Sequence, residues 1–267
     1  MLIINKERCL ACGTCVQECH RKALQLEGDE LQHNPQNCIM CGHCLAVCPR
    51  DVIMIDGDGY DVEEVEDLSF APLAGDVQMR NMILKRRSVR HFDLDVDVTD
   101  EEVAKILEAG KHSPTGVNRQ GNAFVVVKSP EKRQELLIDT VESFRRQIRQ
   151  GNYPDEQTKI FMQNIIAAYD SGNKVGPYYD APVVVFVFAD TDVDGAIAAT
   201  TMSFMAQSLR LGTCYVRIPI IAYRDEEFAE KWQAFEGKKC VISMLIGNPA
   251  SEYFCSVPRK TPPSVIF

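Results

Sequence analysis

The sequence predicts an α+β chain in two parts: a small duplicated N-terminal domain over 1–57 and a larger layered α/β domain over 81–267. Three observations carry this. Eight of the eleven cysteines stand in two copies of one spacing near the N-terminus. Residues 58–80 change composition sharply, as a linker does. Beyond them, short apolar β-branched runs alternate with stretches of helical periodicity.

Cysteines 9, 12, 15 and 19 and cysteines 38, 41, 44 and 48 each read C-x2-C-x2-C-x3-C, and Pro49 follows the second copy. Three thiolates on one tight loop cover three irons of a cubane, while the fourth points toward a second cluster. Ligation therefore crosses over. Cys9, Cys12, Cys15 and Cys48 are expected to hold one 4Fe-4S cluster, and Cys38, Cys41, Cys44 and Cys19 the other. The repeat runs past the cysteines: "RKALQLEG" (21–28) matches "RDVIMIDG" (50–57) as a short apolar strand closed by glycine, which predicts two halves related by a pseudo-dyad. Gly13 and Gly42 share one place in the two loops, where the absence of Cβ lets N–H groups turn toward cluster sulfurs. Zinc prefers two separated C-x2-C pairs, and disulfides need an oxidising compartment for which no leader segment reads. His20 stands where the second copy has Pro49.

The formal charge is −9 and unevenly distributed. Residues 1–80 carry 14 acidic and 6 basic side chains, the rest 24 and 23. Nucleic acid is excluded as a partner of such a surface. The longest apolar run, "APVVVFVFA" (181–189), is too short to cross a bilayer, so no membrane partner and a cytoplasmic location are expected. "DGDGYDVEEVED" (56–67) holds seven acids and no base, yet Asp61 occupies the place where a calcium loop needs glycine. It reads as linker.

In the larger domain a helix begins near Met79. Thr99 and Glu102 form a capping box ahead of Val103, Ile106, Leu107 and Gly110 at helical spacing. "NAFVVVKS" (122–129) is a strand, and Pro130 opens a helix at its first position. A polar helical stretch over 131–170 breaks at "GNYPD" (151–155). "APVVVFVFAD" gives a second strand, "GAIAATTMSFMAQSLRLGTCY" (195–215) a buried helix, and "CVISMLIGNPA" (240–250) a third strand. Strands buried on both faces argue for layers; their order and direction are not readable.

Arg86, Arg87 and Arg90 surround Ser88, and Arg259 and Lys260 stand near the C-terminus. Guanidinium forks and a hydroxyl suit a phosphate monoester, although the same spacing also describes a solvated helix end. "RRSVRHFD" (86–93), "HSPTGVNRQ" (112–120), "SLRLGTCY" (208–215), "IGNP" (246–249) and "VPRK" (257–260) together resemble the FMN-dependent nitroreductase family, in matching order. Residues 1–57 resemble bacterial two-cluster ferredoxins. The resemblance implies a ferredoxin–nitroreductase fusion that forms a homodimer with FMN at the subunit interface. It implies that Arg86, Arg87, Ser88 and Arg90 bind phosphate and ribityl, with Arg259 and Lys260 as a C-terminal clamp. Pro114, Thr115, Gly116 and Asn118 match the loop that reaches the isoalloxazine ring from the partner subunit, and a backbone N–H near its N5 falls at Val216–Arg217. Gly121-Asn122 replaces the family's frequent Pro-Trp, and Thr201-Met202 its Asn-Met.

The fusion implies an oxidoreductase in which two 4Fe-4S clusters pass electrons to FMN, which reduces a small organic acceptor: a nitroaromatic, a quinone-like compound or an activated alkene. Reduced ferredoxin or NAD(P)H is the expected donor. No side chain is assigned as catalytic. Alternatives are a reductive dehalogenase or flavin-modifying member of the same fold, with 142–180 as lid, and a redox sensor or relay. Cys214 and Cys240 read as core residues; Cys255, His43, His91 and His112 read as structural.

Overall fold

In a computed structural model, described for residues 1–57, 59–60, 65–172, 176–232 and 235–266, the chain divides into two units. One is Met1–Leu73 with Thr115–Arg119, and the other Ala74–Pro114 with Gln120–Phe267. The expected linker therefore joins the first unit as far as Leu73; its residues 58 and 61–64 lie outside the described residues. The 115–119 segment clusters with the first unit, where the sequence places it in the larger domain.

The first unit is the repeat made visible. Strands β1 (Leu2–Ile4) and β4 (Ile53–Ile55) pair antiparallel, as do β2 (Leu24–Glu27) and β3 (Glu30–His33). The sequence reading anticipates β2 and β4 and misses their partners: β1 is apolar but only three residues long, and β3 is mostly polar. Leu2 and Leu31, and Leu24 and Ile53, are dyad mates in one small core. Asn5 N–H donates to Val52 O and Asn34 N–H to Ala23 O, the same bond made twice. Two short helices, α1 (Thr14–Glu18) and α2 (His43–Ala46), start after Gly13 and Gly42, at φ 79° and 75°. A core this small supplies little stability by itself, so bound metal is expected to contribute much of it.

The second unit is a four-stranded sheet of order β5-β6-β8-β7, antiparallel throughout. Its strands are β5 (Ala123–Val127), β6 (Val183–Ala189), β7 (Gly212–Val216) and β8 (Lys239–Gly247). Every residue of β6 is buried. Alternation divides them between two cores: Val184, Phe186 and Phe188 in one, Val183, Val185 and Val187 in the other. Helices α5 (Pro130–Gln150), α6 (Glu156–Asp170), α8 (Ile218–Ala222) and α9 (Glu226–Trp232) cover the first. Helices α4 (Asp100–Lys111) and α7 (Asp192–Ser208) cover the second. The expected capping box closes α4, Pro130 opens α5, and Gly151 ends α5 in the left-handed region.

One element is corrected. The helix expected over 195–215 stops at Ser208, and 212–216 is strand β7. The chain reverses at Arg210, φ 64°, after which Leu211 N–H bonds Ala206 O. A left-handed stop of this kind normally uses glycine, so the sequence gives no stop signal. Helix α3 (Asp76–Lys85) precedes the sheet and buries none of its residues. Among the described residues no helix is long and apolar enough to cross a membrane.

Because Phe186 is fully buried and stacks edge-on against Tyr223 and Trp232, Phe186→Ala should cost about 3–5 kcal/mol. Urea unfolding of the second unit's fluorescence checks it.

Candidate functional site

The eight repeat cysteines, all free thiols, surround two cavities. Cys9, Cys12, Cys15 and Cys48 line one, and Cys19, Cys38, Cys41 and Cys44 the other. Each cavity thus takes three thiols from one half of the repeat and the fourth from its dyad mate. Among the described residues no three His, Cys, Asp or Glu side chains are grouped to hold a single metal ion. The thiols enclose a volume; they do not converge on the point that zinc's 2.3 Å bonds require. The loops carry N–H donors for sulfur: Ala11 N–H lies 3.5 Å from Cys9 Sγ and Met40 N–H 3.4 Å from Cys38 Sγ. Both donors follow from positive φ, 50° at Ala11 and 52° at Met40. These left-handed residues are not glycine, and sequence reading finds only Gly13 and Gly42. Burial pushes the Cys44 thiol up to about 11, so a thiolate there needs a cation to hold it. The donor set and the shape fit two iron–sulfur cubanes.

In the second unit the segment after α3 runs along the edge of β7. Ser88 bridges Thr213, and Val89 N–H donates to Thr213 O at 2.9 Å. Gly212 permits this approach, since a Cβ there would meet Val89 Cγ2 at 2.6 Å. Ser88, Arg86 and Arg90 thereby gather at the Cys214 thiol: burial raises its pKa, while Arg90, Ser88 and Arg86 act against that rise. Cys214 is a core residue, as expected, but also the floor of this basic group. Among the described residues no carboxylate forms an ion pair with Arg86 or Arg90. Arg90 lies 5.9 Å over the Tyr179 ring. Arg87 faces elsewhere, its guanidinium donating to the carbonyls of Leu84, Arg86 and Cys255.

The remaining predicted residues are dispersed. Val216 ends β7 with its carbonyl accepting from Ser243 Oγ at 2.8 Å, and Arg217 is the N-cap residue before α8. Arg259 and Lys260 stand exposed in the tail over 250–266, and nothing described joins them to Arg86 or Arg90. Pro114 belongs to the second unit; Thr115, Gly116 and Asn118 belong to the first. Gly121 is held where Lys238 Nζ donates to its carbonyl at 2.6 Å and to Asp190 at 3.1 Å. A Cβ at 121 would meet the Asp190 carboxylate, with Oδ2 at 2.1 Å. Asn122 donates to Ser113 Oγ, and its Oδ1 is buried without a partner. Cys240 is a buried core thiol pushed up to about 12, and Cys255 is exposed.

Comparison with known proteins places these geometries. The profile of the nitroreductase family matches residues 83–248, more than half of the chain. The chain belongs to the nitroreductase family. A 4Fe-4S dicluster domain matches residues 1–49, so the family domain is preceded by an iron–sulfur domain in one polypeptide. A nitroreductase with bound FMN from Desulfitobacterium hafniense DCB-2 shares the fold at TM-score 0.55 and 24% identity, over 71% of this chain and 98% of that one. A second, with bound FMN, from Bacteroides fragilis NCTC 9343 gives 0.57 and 21%, over 73% and 99%. The FMN reductase (NADPH) of Bacillus subtilis (strain 168) is 26% identical over 174 residues, 63% of this chain and 65% of that protein. This chain thus spans less than two thirds of that curated relative.

Anaerobic reconstitution with iron and sulfide should load on the order of eight irons per chain. Cys41→Ala, which removes one ligand from one cavity, should lower that content toward half. Iron and acid-labile sulfide assays check both numbers.

Proposed function

We propose that the chain is an FMN-dependent oxidoreductase that reduces a small organic acceptor with electrons drawn through two 4Fe-4S clusters. The observation that carries this reading is the pair of four-thiol cavities in one chain with a nitroreductase-family domain. When bound, the clusters supply one-electron transfer and the flavin joins two such electrons to hydride chemistry. Reduced ferredoxin is the donor that attached clusters favour, with NAD(P)H as the alternative of the family. Nitroaromatic, quinone-like and activated-alkene acceptors fit this chemistry.

The chain's own residues have three tasks. Cys9, Cys12, Cys15 and Cys48, and Cys19, Cys38, Cys41 and Cys44, hold the two clusters, with N–H donors from Ala11 and Met40 aimed at ligand sulfurs. Arg86, Ser88 and Arg90 present positive charge and a hydroxyl without competing carboxylates, which suits the phosphate of FMN. The buried, unpartnered Oδ1 of Asn122 offers an acceptor for a ligand N–H. Protons come from water or from a side chain of the second unit. We assign Val216–Arg217, Pro114 and the 115–118 segment to the flavin on the family's pattern.

A homodimer completes the reading. A helix of ten residues with no buried side chain, α3, does not support itself in water. Val77, Ile83, Phe254 and Ile266 are exposed on α3 and the tail, at 60%, 54%, 83% and 96%. A second copy covering them would order the tail and give Arg259 and Lys260 a site to clamp.

Arg86→Gln with Arg90→Gln should weaken FMN retention by roughly 100-fold, two charge-assisted hydrogen bonds at about 1.5 kcal/mol each. Flavin absorbance after dialysis reads it, and tight FMN binding by the double variant would sink the phosphate assignment. Reduced anaerobically, the native protein should turn over nitroaromatic or quinone acceptors; oxidation of its clusters without product would leave a relay. Ile83→Lys should shift a sedimentation profile from dimer to monomer if α3 is in the interface.

A further inference from the structure

The two thiol cavities obey one pseudo-dyad, yet their surroundings differ. In the loop of the first cavity Leu10 is 62% exposed and Cys12 is exposed; their dyad mates Ile39 and Cys41 are half-buried. Thr115–Arg119 clusters with this unit. Asn118 Nδ2 donates to Ile39 O at 3.3 Å and to Met40 O at 2.9 Å. Those two contacts use both amide hydrogens of Asn118. The receiving segment is the one that ligates: it lies between Cys38 and Cys41, and Met40 N–H points at Cys38 Sγ.

The 115–119 segment holds its position against local preference. Val117 and Asn118 have φ of 48° and 55°. A β-branched residue in the left-handed region is a genuine outlier, and such strain persists only where neighbouring structure over-determines it. Here that structure includes the Asn118 ties to the cysteine loop.

The polar environment of the cavities differs as well. His20, His33 and His43 line the cavity of Cys19, Cys38, Cys41 and Cys44, whereas no histidine lines the other. His33 Nε2 is buried and has no hydrogen-bond partner. Solvent exposure is one of the levers on a cluster's reduction potential, and the two cavities differ in it.

We infer that the two cavities are unequal ends of one electron path. The cavity of Cys9, Cys12, Cys15 and Cys48 is the entry end, and that of Cys19, Cys38, Cys41 and Cys44 is the exit end. Asn118 is the positioning residue that fixes the exit loop against the segment assigned to flavin. This rests on the proposed function. Each passage takes one electron from a low-potential one-electron donor and delivers one; two passages, with protons from water, supply a two-electron reduction.

The test uses the full-length, anaerobically reconstituted holoprotein and Asn118→Ala. The contact-shifted β-proton resonances of the ligand cysteines, assigned by selective labelling, report each cavity separately. The variant should displace those of Cys38 and Cys41 and leave those of Cys9 and Cys12 in place. Flavin bleaching by dithionite-reduced ferredoxin should slow several-fold, since tunnelling weakens steeply as the exit loop moves away. Asn118→Asp, which cannot donate to the two carbonyls and adds negative charge, should lower the midpoint potential of one cluster and not the other. Unmoved Cys38 and Cys41 resonances, or equal displacement of both sets, overturns the inference, as does an equal change in both potentials. A holoprotein that holds no flavin would defeat the proposed function, while the cysteine resonances would still decide the role of Asn118.

Discussion

Cys19 and Cys48 each close a cavity whose other three thiols lie on the opposite half of the repeat. This exchange is the constraint on which the first unit depends. Neither half can enclose four thiols alone, so the strand pairs β1–β4 and β2–β3 must bring the two loops to fixed positions. Apolar burial does little of that work, because the shared core is a handful of residues. Positive φ at Ala11, Met40, Gly13 and Gly42 turns the loops inward, and Lys22 and Asp51 repeat the same device after the fourth cysteine of each copy. Left-handed backbone at four residues other than glycine costs free energy, and iron–thiolate bonds are the natural compensation.

The second unit solves a different problem with ordinary packing. β6 is buried on both faces because helices cover the sheet on each side, and that double burial makes the strand's register strict. A rigid sheet then gives the 88–93 segment something to lie against. Ser88 reaches Thr213, Phe92 reaches Pro249, and Gly212 removes the Cβ that would keep Val89 away. The arginines are therefore placed by backbone pairing, not by salt bridges to the fold, and their charge remains available.

What the sequence made legible follows from how local each constraint is. The cysteine spacing is a local code for a rigid inorganic shape, so the crossed sets could be written before any fold was known. β6, the α4 capping box and the α5 start were legible for similar reasons, being set by consecutive residues. β7 was not, because Arg210 stands where a glycine stop would have marked the end of α7. Strand directions were not either: apolar runs carry no sign of direction. Arg87 looked equivalent to Arg86 and Arg90 in sequence, but only the fold shows its donors engaged with three carbonyls. His33 drew no attention because nothing in its neighbourhood marks it; the pairing of β3 with β2 brings it to the second cavity.

Asn118 shows the same limit in its strongest form, and it also bears on chemistry. Its partners lie 78 and 79 residues earlier, beyond any periodicity. On the family's pattern its side chain serves the flavin, whereas here its amide hydrogens serve Ile39 and Met40. A nitroreductase-family loop that must also hold a cluster ligand loop has fewer conformations open to it, and the left-handed angles at Val117 and Asn118 record that restriction. The segment's strain is thus met by bonds to a cysteine loop far earlier in the chain.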